Sequence, residues 1–593
     1  MVYPNNSIQN AATIEKNKIT TYINNLNLNE GLYKAITQFA ATIPAKQLHP
    51  NQQKFLRETI FSFKKNGMRL PEAQRKQLTI FNEKINSYST LFEKNIAAFS
   101  FGYKDSFEFT KEELKGIDSN KLNQWKRLNG KFMLTPERGF SDVFFYAEND
   151  TIRHNLFLRF LLYPSPCYPE NVKVLDSLLF YRDAMANLLG YRSYATYAME
   201  DKMAATPANV WNLLNGLVLK LAEKTTNELK LLTNLKHQLH PKLPDTLYYW
   251  DSYFYKKKLN DANQYNNDEA KEYFEINNTV QDMFGIYEKL FDIRIKEIKH
   301  VPVWSPKVKY FELYNNGKKA GSFYMDLYQR QFKSPSPVAY HTQVHYYNMA
   351  NGKEKLPVSA IVANIKENNS SQPTLLYYND VSTIFHEFGH LVNALLSRSD
   401  ITAQTGISTK GNFYEAPAGL MQNWCRHYDS LRGISRHYKT GAAMPESLFN
   451  KMINAGKLFE GNAALNGVND CLVDLTFHDK YDSIKGKDLT EVAKSLQTDL
   501  LKYMGPNKGR YIATFGYFTN MGANLYGYTW AGVFAQDMFS VFEKNGIMDT
   551  KTGIRYKKAI LEKGSSEEEM DMLRNFLGRA PNSHAYLRSL GIK

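Results

Sequence analysis

The chain has 593 residues, enough for about four domains of ~150 residues each or for one large helical body. With 43% hydrophobic and 22% charged residues it sits near the globular average, which excludes wholesale disorder and a collagen-like fibre. No stretch approaches the roughly 18 uninterrupted apolar residues of a membrane span, and the mean hydropathy is −0.48, so no membrane partner is expected. The formal charge of +15 comes from 74 basic against 59 acidic residues. These bases are spread along the chain, and the densest run, Lys256-Lys257-Lys258, is short and flanked by aromatics. They read as solvated surface, and nucleic acid is not an expected partner.

Cys167, Cys425 and Cys471 are far apart and form neither a CxxC metal pair nor a disulfide framework. The first residues lack a basic segment followed by an apolar one. A cytoplasmic address is expected, with export by a signal-independent route left open.

Residues 1 to about 135 read as amphipathic helices, as in Ile36–Ile43 and Leu78–Phe99. A second helical tract runs from about 170 to 235, restarting where Thr206 can cap and Pro207 fits a first turn. Strand character gathers between about 300 and 380. Lys309–Tyr314 and Gly321–Tyr328, joined through Asn315-Asn316-Gly317, predict a hairpin, and Pro357–Ile365 predicts a further strand. Helix resumes from 380 to the end, apart from a glycine-dense interruption between Phe515 and Gly532. There is no internal repeat, and the fold class is mainly α.

The segment richest in chemistry is Asp380-Val-Ser-Thr-Ile-Phe-His386-Glu387-Phe-Gly-His390-Leu-Val-Asn-Ala-Leu-Leu. Ile384, Phe385, Phe388, Leu391, Val392 and Leu395 make an apolar stripe at helical spacing, with Asp380 as the expected N-cap. On such a helix positions i and i+4 lie about 5–6 Å apart at Cβ. His386 and His390 can therefore present two imidazoles to one cation. Glu387 points about 100° round the axis, beside the cation, where it can take a proton from water. Two histidines and a glutamate on the buried side of an apolar helix are costly without a partner, and a cation supplies one. A catalytic zinc needs a third protein ligand. Glu415 follows His390 by 25 positions, just before a helix opening near Pro417, and is the candidate.

His386-Glu387-Phe-Gly-His390, then Glu415-Ala-Pro417 and Asn423-Trp424, resembles the thimet oligopeptidase family (M3) of zinc metallopeptidases. Similarity extends over roughly residues 140 to 593. It includes Tyr194–Ala204, Asp268–Phe274, Leu290–Ile293, Gly321–Arg330 with its D-L-Y-x-R ending, Phe576–Pro581 and Leu587–Gly591. The resemblance implies one Zn2+ on His386, His390 and Glu415, with Glu387 as general base. It implies an elongated, two-lobed helical ellipsoid with a deep central channel and a small β-sheet beside the zinc site. Residues 1–138 would form an N-terminal helical region contributing to the channel wall, and 139–593 the catalytic region. Pro357–Ile365 would offer an edge to an extended peptide. The expected partners are short unstructured peptides, cut by endopeptidase or peptidyl-dipeptidase action, and the expected state is a monomer.

The chain departs from the family in the loop Ala513–Trp530. Tyr517 stands where the family has a histidine, Leu525 replaces a tyrosine, and another tyrosine falls at a gap near Met521. Tyr528 matches and is the expected oxyanion donor, with Tyr517 as a substitute donor. Gln422 occupies a usually acidic position, altering the support of the ligands. The altered tyrosine loop, with the basic charge of the chain, raises an alternative: a zinc-bearing pseudo-peptidase that binds peptides or a protein with little turnover.

Overall fold

The computed structural model describes residues 3, 5–102, 107–123, 125, 127–135, 139–162, 169–263, 265–331, 333, 337–348, 350–368, 372–497, 501 and 508–592. Cys167 lies outside them. Cys425 and Cys471 are buried and free, as their spacing implied. Helices dominate, accompanied by small sheets.

The N-terminal helices hold to Gly102, ending in the long helix Glu72–Gly102, which packs on Glu170–Leu188. Phe92 from the first of these is fully buried in a cluster with Leu175, Leu178, Phe477 and Phe518. The expectation of helix to about 135 fails beyond that point. Strands β1 (Phe107–Phe109), β2 (Arg127–Leu128) and β3 (Lys131–Leu134) form an antiparallel sheet in the order β1-β3-β2. The cause is local. Phe107, Phe109, Phe132 and Leu134 are buried at alternate positions, and Asn129-Gly130, both at positive φ (51° and 78°), supplies a two-residue hairpin turn.

The 170–235 tract divides into Glu170–Leu188, Tyr194–Met199 and Pro207–Leu239. The last opens as expected, with Thr206 Oγ accepting from the Asn209 amide at 3.4 Å.

The main sheet joins β4 (Ile293–Glu297), β5 (Lys309–Asn315), β6 (Lys318–Tyr328), β7 (Val338–Gln343) and β10 (Val358–Ile365) in the order β4-β5-β6-β10-β7, while β8 (Tyr346–Asn348) and β9 (Lys353–Lys355) pair separately. The β5–β6 hairpin turns at Asn316-Gly317, with φ of 50° and 74°. Asp326 secures the end of β6. Its carboxylate accepts from Arg330 at 2.5 and 2.7 Å, Lys333 at 2.9 Å and Trp304 at 2.7 Å, which accounts structurally for the D-L-Y-x-R segment. Expectation fails for Pro357–Ile365: β10 is an interior strand, parallel to β6 and antiparallel to β7, and β7 is the end strand. Residues 359–363, Ser359 followed by four apolar residues, are all buried, as in a strand covered on both faces.

One face of this sheet carries Phe311 and Phe323, stacked 5.1 Å apart, and Phe323 meets Phe388 of the helix Tyr378–Leu396 at 5.6 Å. The same helix touches Glu415–Met421 on its other side. A Cβ on Gly389 would lie 2.8 Å from the Ala418 Cα, so the glycine permits backbone-to-backbone approach of these two helices. Gly389→Ala should therefore cost about 1–3 kcal/mol as an overpacked core and carry His390 away from Glu415. Thermal unfolding and divalent-ion titration should fall together, and an unchanged midpoint would show that the helices part freely.

Candidate metal centre

The helix Tyr378–Leu396 buries Val381, Ile384, Phe385, Phe388, Leu391, Val392 and Leu395, the stripe that periodicity predicts. Asp380 is not its N-cap. It occupies the third helical position and accepts from the Tyr377 amide at 3.0 Å, satisfying the helix start from inside. Tyr287 Oη, fully buried, donates to the Phe385 carbonyl at 2.9 Å and ties the helix to Ile276–Phe291.

His386 and His390 project from one side of this helix, ring centroids 4.8 Å apart and nearly perpendicular at 86°. Glu415 opens the helix Glu415–Met421, so Pro417 falls at its third position. One oxygen of Glu415, Oε2, lies 3.1 Å from His386 Nε2 and 3.2 Å from His390 Nε2. These ligand-capable atoms all lie within 4.8 Å of one another, and together they could hold a metal ion. Burial alone would push the Glu415 carboxyl up, but hydrogen bonds and charge from the two imidazoles hold it far below the usual carboxylate range. Burial would likewise lower His386, yet Glu415, then Glu387 and Gln422, raise it. The site therefore demands positive charge at the point where the three donors meet, and two imidazoles plus a carboxylate suit zinc. Both Nδ1 atoms are buried and find no hydrogen-bond partner among the described residues.

Glu387 is half-buried, its charge acts on His386, and its carboxylate accepts no hydrogen bond from any described residue. Tyr528 and Tyr517 are 43% and 44% exposed, with rings 6.2 Å apart. Burial, Glu415 and Tyr517 push the Tyr528 phenol up, which keeps it a proton donor. The glycine-dense interruption is shorter than expected. Helix Tyr517–Asn520 and helix Tyr526–Asn545 leave only 521–525 between them, and Tyr528 sits in a first helical turn. Leu525 is buried among apolar neighbours.

Sequence reasoning missed Tyr414, whose ring stacks on His390 at 5.7 Å and 30°. Its phenol is raised by burial and by Glu415 and interacts with Tyr528. Its position directly before Glu415 was the available signal. Also missed was a buried brace behind the tyrosines. Asp474 accepts from the amides of Ala523 (3.1 Å) and Leu525 (3.3 Å), and its Oδ1 lies 3.0 Å from His478 Nδ1. Arg182 reaches His478 Nε2 at 2.9 Å and donates to the carbonyls of Phe518 (2.5 Å) and Thr519 (2.8 Å). Three side chains from two helices thus hold both ends of the segment that presents Tyr517 and Tyr528.

A mainly helical body carrying two imidazoles, a carboxylate and an adjacent free acid is that of a metallopeptidase. The sequence pattern of peptidase family M3 matches residues 143–592, and the chain belongs to that family. It is 28% identical to oligopeptidase A of Escherichia coli (strain K12) over 584 residues, covering 95% of this chain and 85% of that protein. It is 30% identical to saccharolysin of Saccharomyces cerevisiae over 566 residues, covering 91% and 78%. Among solved structures, PZ peptidase A with an inhibitor superposes with a TM-score of 0.58 at 11% identity, over 100% of this chain and 87% of that one, a likeness of fold alone. No described helix is long and apolar enough to cross a membrane.

A Cβ on Gly522 would lie 2.3 Å from Arg182 Nη1 and 2.9 Å from His478 Nε2. Gly522→Ala should therefore break the brace, lowering peptide turnover at least ~10-fold through misplaced tyrosines while metal content stays at the parent level. Elemental analysis beside kcat/KM checks this; full turnover would show that the brace is dispensable.

Proposed function

We propose that the chain is a zinc-dependent oligopeptidase that hydrolyses peptide bonds in short, unstructured peptides. The convergence of His386, His390 and Glu415, with the free carboxylate of Glu387 beside them, carries this reading. Zn2+ on those three residues would polarise the scissile carbonyl and lower the pKa of water toward about 7.

Glu387 takes a proton from the attacking water and delivers it to the leaving amine. Its freedom from other hydrogen bonds leaves the carboxylate available for both transfers. Tyr528 Oη donates to the carbonyl oxygen as negative charge gathers there, with Tyr517 beside it as a second donor. Tyr414 packs on His390 and limits its rotation. The end strand β7, rather than β10, pairs with the extended peptide. Residues 1–138 form part of the channel wall, supported by the hydrogen bond from Thr519 to Glu93 next to the Tyr517 segment. The names of the relatives, oligopeptidase A among them, support short peptides as the substrate class, and the free cysteines suit a reducing compartment. The non-hydrolytic alternative finds no support in the comparisons.

Glu387→Gln should retain one zinc per chain and lose about 10²–10⁴-fold in kcat; parental rates in that variant would refute the mechanism. Tyr528→Phe should lower kcat by about 10²–10³-fold with little change in KM. Steady-state kinetics on one quenched fluorescent peptide reads the split, and a pure KM effect would remove Tyr528 from the transition state.

A further inference from the structure

Helix Glu72–Gly102, from the N-terminal region, meets the single helical turn that carries Tyr517. Phe92 on the long helix is fully buried in one cluster with Phe518. Asn171, also fully buried, joins the two main chains. Its Nδ2 donates to the Ala513 carbonyl at 2.9 Å and to the Phe92 carbonyl at 3.2 Å, and its Oδ1 accepts from Asn95 Nδ2 at 2.8 Å. The residue after Phe92, Glu93, touches the turn itself. Thr519 Oγ1 donates to Glu93 Oε1 at 2.5 Å, the length of a charge-assisted O–H···O⁻ bond. A Cβ on Gly516 would lie 3.1 Å and 3.5 Å from the two Glu93 oxygens, so the carboxylate rests against the start of the turn.

Tyr517 depends on that backbone. Its ring meets Phe515 at 5.2 Å and Tyr528 at 6.2 Å, and its place is set by the turn Tyr517–Asn520. One turn of helix is not stable alone, so contacts from outside hold it. Arg182 grips it from the buried side through the Phe518 and Thr519 carbonyls. Glu93 grips it from the exposed side through the Thr519 hydroxyl. That hydroxyl also lies 2.6 Å from the Gly516 carbonyl. It has one proton, and the charged carboxylate is the stronger acceptor.

We propose that Glu93 is a positioning residue for Tyr517: by holding the Thr519 hydroxyl it fixes the turn that presents this phenol to the developing oxyanion. Helix Glu72–Gly102 thereby serves turnover and not only the channel wall. This inference rests on the reading of Tyr517 as a second donor and adds a residue from the N-terminal region to it.

The test is a double-mutant cycle on the full-length zinc protein, read by steady-state cleavage of a panel of quenched fluorescent peptides with zinc content measured alongside. Glu93→Ala should lower kcat about 10-fold while KM and zinc content stay near parental values. Glu93→Gln, whose amide oxygen still accepts the Thr519 hydroxyl, should recover most of that loss. In a Tyr517→Phe background the same Glu93→Ala change should cost less than about 2-fold, because the donor it places is gone. Parental kcat in Glu93→Ala, equal losses in the two Glu93 variants, or an undiminished further loss in the double variant would overturn the role of Glu93 and leave the zinc mechanism intact. Parental kcat in Tyr517→Phe would remove Tyr517 as a donor and this inference with it. A parent that binds zinc yet cleaves no peptide of the panel would overturn the proposed function as well.

Discussion

A single carboxylate oxygen on Glu415 stands within 3.2 Å of two imidazole nitrogens, and much of the molecule maintains that meeting. Taking three polarisable or charged groups out of water is unfavourable unless they share a counter-charge. The fold holds them there all the same. The sheet supports one side of the helix Tyr378–Leu396 through Phe323 and Phe388, and Tyr287 ties down the Phe385 carbonyl. On the other side Gly389 lets the Glu415 helix approach until backbones touch. A cation at the meeting point turns this electrostatic demand into binding.

Around that centre the groups that face solvent differ from those that set geometry. Glu387, Tyr517 and Tyr528 are partly exposed, as their proposed roles at a substrate require. Behind them Arg182, Asp474 and His478 are almost wholly buried; Arg182 and Asp474 bond main-chain carbonyls and amides of residues 518–525, and His478 links the two. Buried polar networks of this kind restrict the conformation of the backbone they bond. The placement of the two tyrosines thus depends on side chains buried behind them.

Local patterns were legible in the sequence wherever one segment carries its own signal. The histidine pair and apolar stripe of Tyr378–Leu396, the Thr206-Pro207 helix start and the Asn316-Gly317 hairpin all arise within a few residues of chain. The sheet at 107–134 was equally local, since Asn129-Gly130 is a hairpin signal, but its strands are only two to four residues long and a helical period masked them. Asp380 illustrates a finer ambiguity: an acidic residue at the third helical position serves the same orphan amides as a cap. What the sequence could not reveal was assembly. Arg182 and His478 are 296 positions apart, and β10 is an interior strand because β7 pairs along its far side.

X-ray absorption at the zinc edge on the purified full-length protein tests the central claim most directly. One zinc per chain is predicted, surrounded by nitrogen and oxygen at about 2.0–2.1 Å with no sulfur at about 2.3 Å. Loss of that shell should follow replacement of Glu415 by alanine. A zinc held by sulfur, or a shell indifferent to Glu415, would contradict the account.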